Sequence, residues 1–143
     1  AYAQSSWDVP TEKLQATPMD IVVYRSPTCG CCSKWLAHLK KHDFNVIDNV
    51  TNDVQSIKDQ QGVSQSLASC HTAIINGYVI EGHVPAGDIK ALLKEKPSIK
   101  GLAVPGMVVG TPGMEVGTQK APFKVLAFDQ QGNIQLYKAY QQY

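Results

Sequence analysis

The chain has 143 residues, with 13 basic side chains against 12 acidic ones and a hydrophobic share of 43%. That length suits one domain with a real core, and the composition excludes general disorder. The lysines are scattered, which excludes the concentrated basic face of a nucleic-acid binder, and no apolar run approaches a membrane span.

Residues 1–17 are polar and weakly patterned, and read as an arm laid on a single domain of residues 18–143. Ala1-Tyr2-Ala3 before Gln4-Ser5-Ser6 reads as the start of a mature exported chain. Met19 is expected in the core, and Ile21 to Tyr24 predicts a short buried strand. Ser33 to His42 places Trp35, Leu36 and Leu39 at helical spacing, with His38 and His42 expected on the helix surface. Phe44 to Ile47 returns to strand. Thr51 or Asn52 caps a helix running to about Gln61, which Gly62 ends.

Thr72 to Ile75 and Tyr78 to Ile80 flank Asn76-Gly77, a strong hairpin signal. Pro85 to Lys96 predicts a helix with Ile89, Leu92 and Leu93 inward. Residues 97–122 form a Gly/Pro-rich loop too long for a passive connector. A terminal hairpin spans residues 123–140, with strands from Phe123 to Phe128 and from Ile134 to Tyr140. The order β-α-β-α-β-β-α predicts an α/β domain of thioredoxin-like type: a central mixed sheet flanked by helices, plus the loop and the C-terminal hairpin.

The chemistry concentrates in Ser26-Pro27-Thr28-Cys29-Gly30-Cys31-Cys32, where the first strand meets the first helix. A helix N-terminus offers unpaired N–H groups and partial positive charge, which favour thiolate. Two structural disulfides fit poorly, because bridges within so tight a cluster would constrain little chain entropy. Cys29 and Cys32 form a C-x-x-C pair, which at such a turn signals thiol–disulfide exchange, with Cys29 attacking and Cys32 resolving. Cys31 would scramble that couple. In addition, Ser69-Cys70-His71 stands where thioredoxins keep a cis-proline, so the fold delivers a fourth sulfur to the motif.

Four converging thiolates predict a soft-metal site. Adjacent Cys31 and Cys32 are awkward for tetrahedral zinc and suit bridged cuprous ions, although spacing alone leaves zinc open. Met107 and Met114 are thioether candidates in the Gly/Pro-rich loop, with core packing as the plain alternative. His83 sits at a strand end beside a helix start and is a candidate ligand. If Cys70 points to the site, strand alternation turns His71 to the other face.

Cys29-Gly30-Cys31-Cys32, Ser69-Cys70-His71-Thr72-Ala73, Gly77-Tyr78 with Glu81-Gly82-His83-Val84-Pro85-Ala86, and Gly101 to Met107 with Pro112-Gly113-Met114-Glu115 occur in order over residues 18–118. Together they resemble the CopG family of bacterial periplasmic copper-resistance proteins, departing at Val108 and near Ser64, where that family tends to carry proline. The resemblance implies a thioredoxin-like domain, export to the periplasm and a cysteine-bridged Cu(I) cluster. It also implies a part in copper detoxification beside efflux components, with interconversion of Cu(I) and Cu(II). The scattered charge and short apolar runs predict no nucleic-acid partner and no membrane insertion.

Overall fold

The computed structural model describes residues 6–143, so the Ala1-Tyr2-Ala3 expectation lies outside the described residues. After a short 3-10 turn at Ser6–Asp8, strand β1 (Met19–Arg25) buries Ile21 and Val23 completely. Cys29 N–H then closes a turn on Ser26 O at 3.2 Å, and helix α1 (Gly30–Lys41) follows. The helix begins earlier than the spacing predicts. Cysteine is a mediocre helix former, but the closed turn carries Cys31 and Cys32 into the first turn.

Strand β2 (Phe44–Val50), helix α2 (Val54–Gln60), strands β3 (His71–Ile75) and β4 (Tyr78–Glu81), and helix α3 (Ala86–Glu95) complete the expected alternation. Asp53, not Thr51 or Asn52, is the N-cap residue of α2. The strand the sequence does not announce is β5 (Gly101–Ala103), inside the Gly/Pro-rich segment. Three residues are too few to show alternation. β5 exists because it fits between β4, to which it is parallel, and β6 (Phe123–Phe128), to which it is antiparallel.

That inserted strand joins the terminal hairpin, β6 with β7 (Ile134–Tyr140), to the main sheet. The result is one seven-stranded mixed sheet in the order β2-β1-β3-β4-β5-β6-β7. β1 and β2 are parallel, whereas β3 runs antiparallel to both β1 and β4. This arrangement is compatible with the thioredoxin-like reading.

Side chains leave a strand alternately to its two faces, and the core divides accordingly. Ile80, Leu102 and Ala127 join the larger cluster with Trp35, Leu39, Ile89 and Leu92, beneath α1 and α3. Their neighbours Val79, Ala103 and Phe128 join the smaller cluster with Val63 and Leu67. Met19 is half-buried against the larger cluster.

The N-terminal segment closes one side of the larger cluster. The Trp7 ring lies edge-on to Phe123 and Tyr140, and its indole N–H donates to Gly110 O at 2.7 Å. This contact corrects the surface placement of two histidines. His42 is buried under Trp7 and Thr11, donating from Nε2 to Trp7 O at 2.6 Å. His38 is buried against the start of α3, where its Nε2 accepts the Ala86 N–H at 3.0 Å. Burial, and then the charge of His42, pushes the His38 pKa down to about 3. Among the described residues no helix is long and apolar enough to cross a membrane.

Candidate metal centre

The four sulfurs converge. α1 supplies Cys31 and Cys32 from its first turn, Cys29 stands at its N-cap, and Cys70 arrives from the bend just before β3. Their Sγ atoms all lie within 4.8 Å of one another. Cys29 and Cys32 are joined as a disulfide, and Cys31 and Cys70 are free. Cys31 Sγ lies 3.7 Å from Cys29 Sγ and 3.9 Å from Cys70 Sγ, and Cys32 Sγ lies 3.6 Å from Cys70 Sγ. The bonded pair is the one an oxidoreductase would use. The two further sulfurs packed on it are not part of that pattern.

The N-terminus of α1 carries no acidic residue in its first turn, so nothing offsets its partial positive charge there. Cys70 has no such help. Burial first, and then the neighbouring Cys31, push its thiol up to about 11. A bound cation would reverse that balance by stabilising the thiolate.

Two imidazoles complete the cluster, and one of them contradicts the alternation argument. Cys70 lies in a bend outside the pleated strand, so the alternation of β3 does not govern it. His71, the first residue of β3, shares the face of Ala73 and Ile75 and turns beneath α1. Its ring lies 4.3 Å from that of Trp35, and Nδ1 stands 3.3 Å from Cys70 Sγ and 3.4 Å from Cys32 Sγ. His83 also faces the cluster, with Nε2 3.6 Å from Cys70 Sγ.

Backbone carbonyls set both tautomers. His71 Nε2–H donates to Gly82 O at 2.8 Å, and His83 Nδ1–H donates to Pro112 O at 2.6 Å. A carbonyl only accepts, so the proton sits on the nitrogen facing it. The opposite nitrogen of each ring is therefore bare, and each bare nitrogen faces sulfur. Burial holds both rings below the usual histidine range, His71 far below it.

Two glycines make this packing possible. A Cβ on Gly82, at φ +77°, would sit 2.4 Å from Val104 O; on Gly113, at φ +91°, it would sit 2.7 Å from Trp35 N and 3.0 Å from His83 Nδ1. No side chain fits either position, and positive φ disfavours one regardless. The Gly/Pro-rich loop is thereby drawn against both histidine supports.

The loop methionines lie in segments whose backbone carbonyls support the centre. Met107 is 48% exposed and follows Gly106, whose carbonyl accepts the Ser69 hydroxyl at 2.7 Å beside Cys70. Met114 is half-buried in a turn in which its N–H donates to Thr111 O at 2.8 Å, close to the Pro112 carbonyl that holds His83.

Behind the cluster, on the other face of β3 and β4, lies an ion pair that sequence reasoning did not find. Lys58 from α2 reaches Glu81, which is fully buried. Thr72 donates to Glu81 Oε1 at 2.6 Å and accepts from Lys58 Nζ at 2.9 Å. Glu81 Oε2 also accepts the Ser69 N–H at 2.8 Å, tying the Cys70 bend to this network. The only sequence signal was an acid at the end of an apolar strand, opposite a threonine in register.

A family described as "Protein of unknown function, DUF411" matches residues 67–114, the stretch holding Cys70, His71, His83, Met107 and Met114. No curated protein matches the chain. Among solved structures, "Copper resistance protein copG- Form 2" is 42% identical, with a TM-score of 0.82, covering 86% of this chain and 98% of its own. "Copper resistance protein copG- Form 1" is also 42% identical, with a TM-score of 0.83, covering 87% and 99%. Identity at that level over nearly the whole of both chains, on the same mixed sheet, places this protein in the CopG family of copper resistance proteins.

Proposed function

We propose that this protein is a periplasmic copper-resistance protein that holds several Cu(I) ions in a cluster bridged by the thiolates of Cys29, Cys31, Cys32 and Cys70. The observation that carries the reading is the convergence of four sulfurs from two separate segments, all within 4.8 Å of one another. Thiolates select soft ions. Adjacent Cys31 and Cys32 suit bridging between cuprous ions better than two corners of one zinc tetrahedron. Met107 and Met114 supply neutral thioethers, and His83 a neutral nitrogen, as supplementary donors from the rim.

The same sulfurs support interconversion of copper states. The thiolates of Cys29 and Cys32 each give one electron to a Cu(II) ion; the S–S bond forms and two Cu(I) ions result. The Cys29–Cys32 bond supports this reading, since it is the form such a couple would take when oxidised. Copper held as Cu(I) is then passed to periplasmic efflux components.

The Cys29–Cys32 bond also favours a second reading, a thiol–disulfide oxidoreductase. That reading leaves Cys31 and Cys70 without a task although both pack on the bonded pair.

Anaerobic loading of the fully reduced protein with Cu(I), followed by elemental analysis and a thiol count, separates the two. Several coppers per chain, falling sharply in a folded Cys70→Ser variant, is the expected result. Copper binding that is absent, or unchanged without Cys70, would overturn the cluster and restore the oxidoreductase.

A further inference from the structure

The oxidised form of the site contains an inconsistency in its hydrogen count. His71 is fully buried and His83 is 1% exposed, and each has a bare nitrogen fixed by a backbone carbonyl on its other side. Among the described residues, the hydrogen-bond-length partners of those two nitrogens are Cys70 Sγ and Cys32 Sγ. Cys32 is in the disulfide and has no proton to give. The Cys70 thiol has one, enough for one nitrogen. The other lone pair is left buried without a donor, which is costly in a low-dielectric interior.

A cation resolves what a proton cannot. It accepts electron density from both nitrogens and from a Cys70 thiolate at once. The separations fit: Cys70 Sγ lies 3.3 Å from His71 Nδ1 and 3.6 Å from His83 Nε2. Ligands on one metal, with sulfur and nitrogen bonds of roughly 2.3 and 2.0 Å at a tetrahedral angle, stand about 3.5 Å apart. The three donor atoms lie within 4.8 Å of one another. Carbonyl-anchored imidazoles are also how proteins orient histidine ligands in metal sites.

We infer that Cys70, His71 and His83 form a distinct nitrogen–sulfur subsite that holds one divalent copper ion while Cys29 and Cys32 are joined. The inference rests on the copper reading above and deepens it. Disulfide formation removes two of the four cluster sulfurs. The donor set that remains around Cys70 is two imidazoles and one thiolate, harder than four thiolates and suited to Cu(II). Cys70 is then the pivot shared by the two sites, a cluster ligand in the reduced protein and the sulfur of the subsite in the oxidised one.

The test uses the full chain in its Cys29–Cys32 disulfide form with Cys31→Ser, so that no second thiol can reduce the metal by pairing with Cys70. Co(II), which thiolates do not reduce, is titrated first, and Cu(II) second. The expected result is a single equivalent of Co(II) with a thiolate charge-transfer band and tetrahedral d–d bands. For Cu(II), the electron paramagnetic resonance signal should be split by two imidazole nitrogens. His83→Ala should weaken Co(II) binding at least about tenfold.

A metal signal without nitrogen coupling, or Co(II) affinity unchanged by His83→Ala, overturns the subsite. The spectra of the unsubstituted histidine pair decide the matter even if a histidine variant misfolds. Failure of the Cu(I) load in the reduced protein, by contrast, overturns the cluster and not this inference.

Discussion

Strands β3 and β4 carry two buried polar groups back to back, and they are built on opposite principles. On the α2 face, Lys58, Thr72, Glu81 and the Ser69 N–H match donors to acceptors throughout. On the α1 face, two imidazole lone pairs and the free sulfur of Cys70 confront one another with at most one proton among them. A buried network that satisfies itself is structural, whereas one that leaves lone pairs converging has room for a cation. The two networks meet at the Ser69-Cys70 step, so the structural one also holds the bend that aims Cys70.

Breaking the satisfied network gives the largest expected effect on stability. Glu81→Ala leaves the Lys58 ammonium buried without its partner and should destabilise the fold by about 3–5 kcal/mol in urea unfolding. The paired replacement Lys58→Met with Glu81→Leu should recover most of that loss, because the charge and its partner leave together. A double variant no more stable than Glu81→Ala would mean that the Ser69 anchor, not the ion pair, carries the energy.

His38 sharpens the comparison, being a third buried imidazole whose bare nitrogen is satisfied by the Ala86 N–H. It belongs with the structural class and should affect acid stability, not copper. Its pKa in the fold is about 3, below the ordinary 6.5, so unfolding takes up a proton in that interval. The stability it contributes is complete above pH 6.5 and is lost as pH falls from there toward 3. Between pH 6.5 and 4 the loss should reach about 2–3 kcal/mol, at up to 1.36 kcal/mol per pH unit. His38→Gln keeps an acceptor for Ala86 and should flatten that slope, with the Cu(I) load unchanged. An unchanged slope would assign the acid sensitivity to other groups.

The rim gives the smallest effect. Met107→Leu nearly conserves volume at a half-exposed site, so stability should change by less than about 1.5 kcal/mol. Competition against a Cu(I) chelator should nevertheless show weaker retention, and Met114→Leu should act in the same direction. Retention equal to wild type in the double variant would make the loop a cover and not a donor.

Most of the helices and strands were legible before the structure, because their signals are local. Trp35, Leu36 and Leu39 repeat at helical spacing, Asn76-Gly77 marks a turn, and the two strands of the terminal hairpin lie where their alternation puts them. β5 was not legible, since three residues acquire strand geometry only from β4 and β6 on either side. The surface reading of His38 and His42 failed for a similar reason. A helix face is exposed or covered according to what folds over it, and here Trp7, Thr11 and α3 do so from distant parts of the chain.

By itself the sequence determined that sulfur would gather where β1 meets α1, because three cysteines within four positions stay together in any fold. It also set the alternating order of elements that brings Cys70 back toward them. Tertiary structure decided the rest of the centre. Whether His71 joins depends on Cys70 lying in a bend, outside the period of β3, and which nitrogen each histidine presents depends on the carbonyls of Gly82 and Pro112. Those are long-range hydrogen bonds, and the direction of a lone pair follows from what holds the opposite side of the ring, which no spacing along the chain encodes.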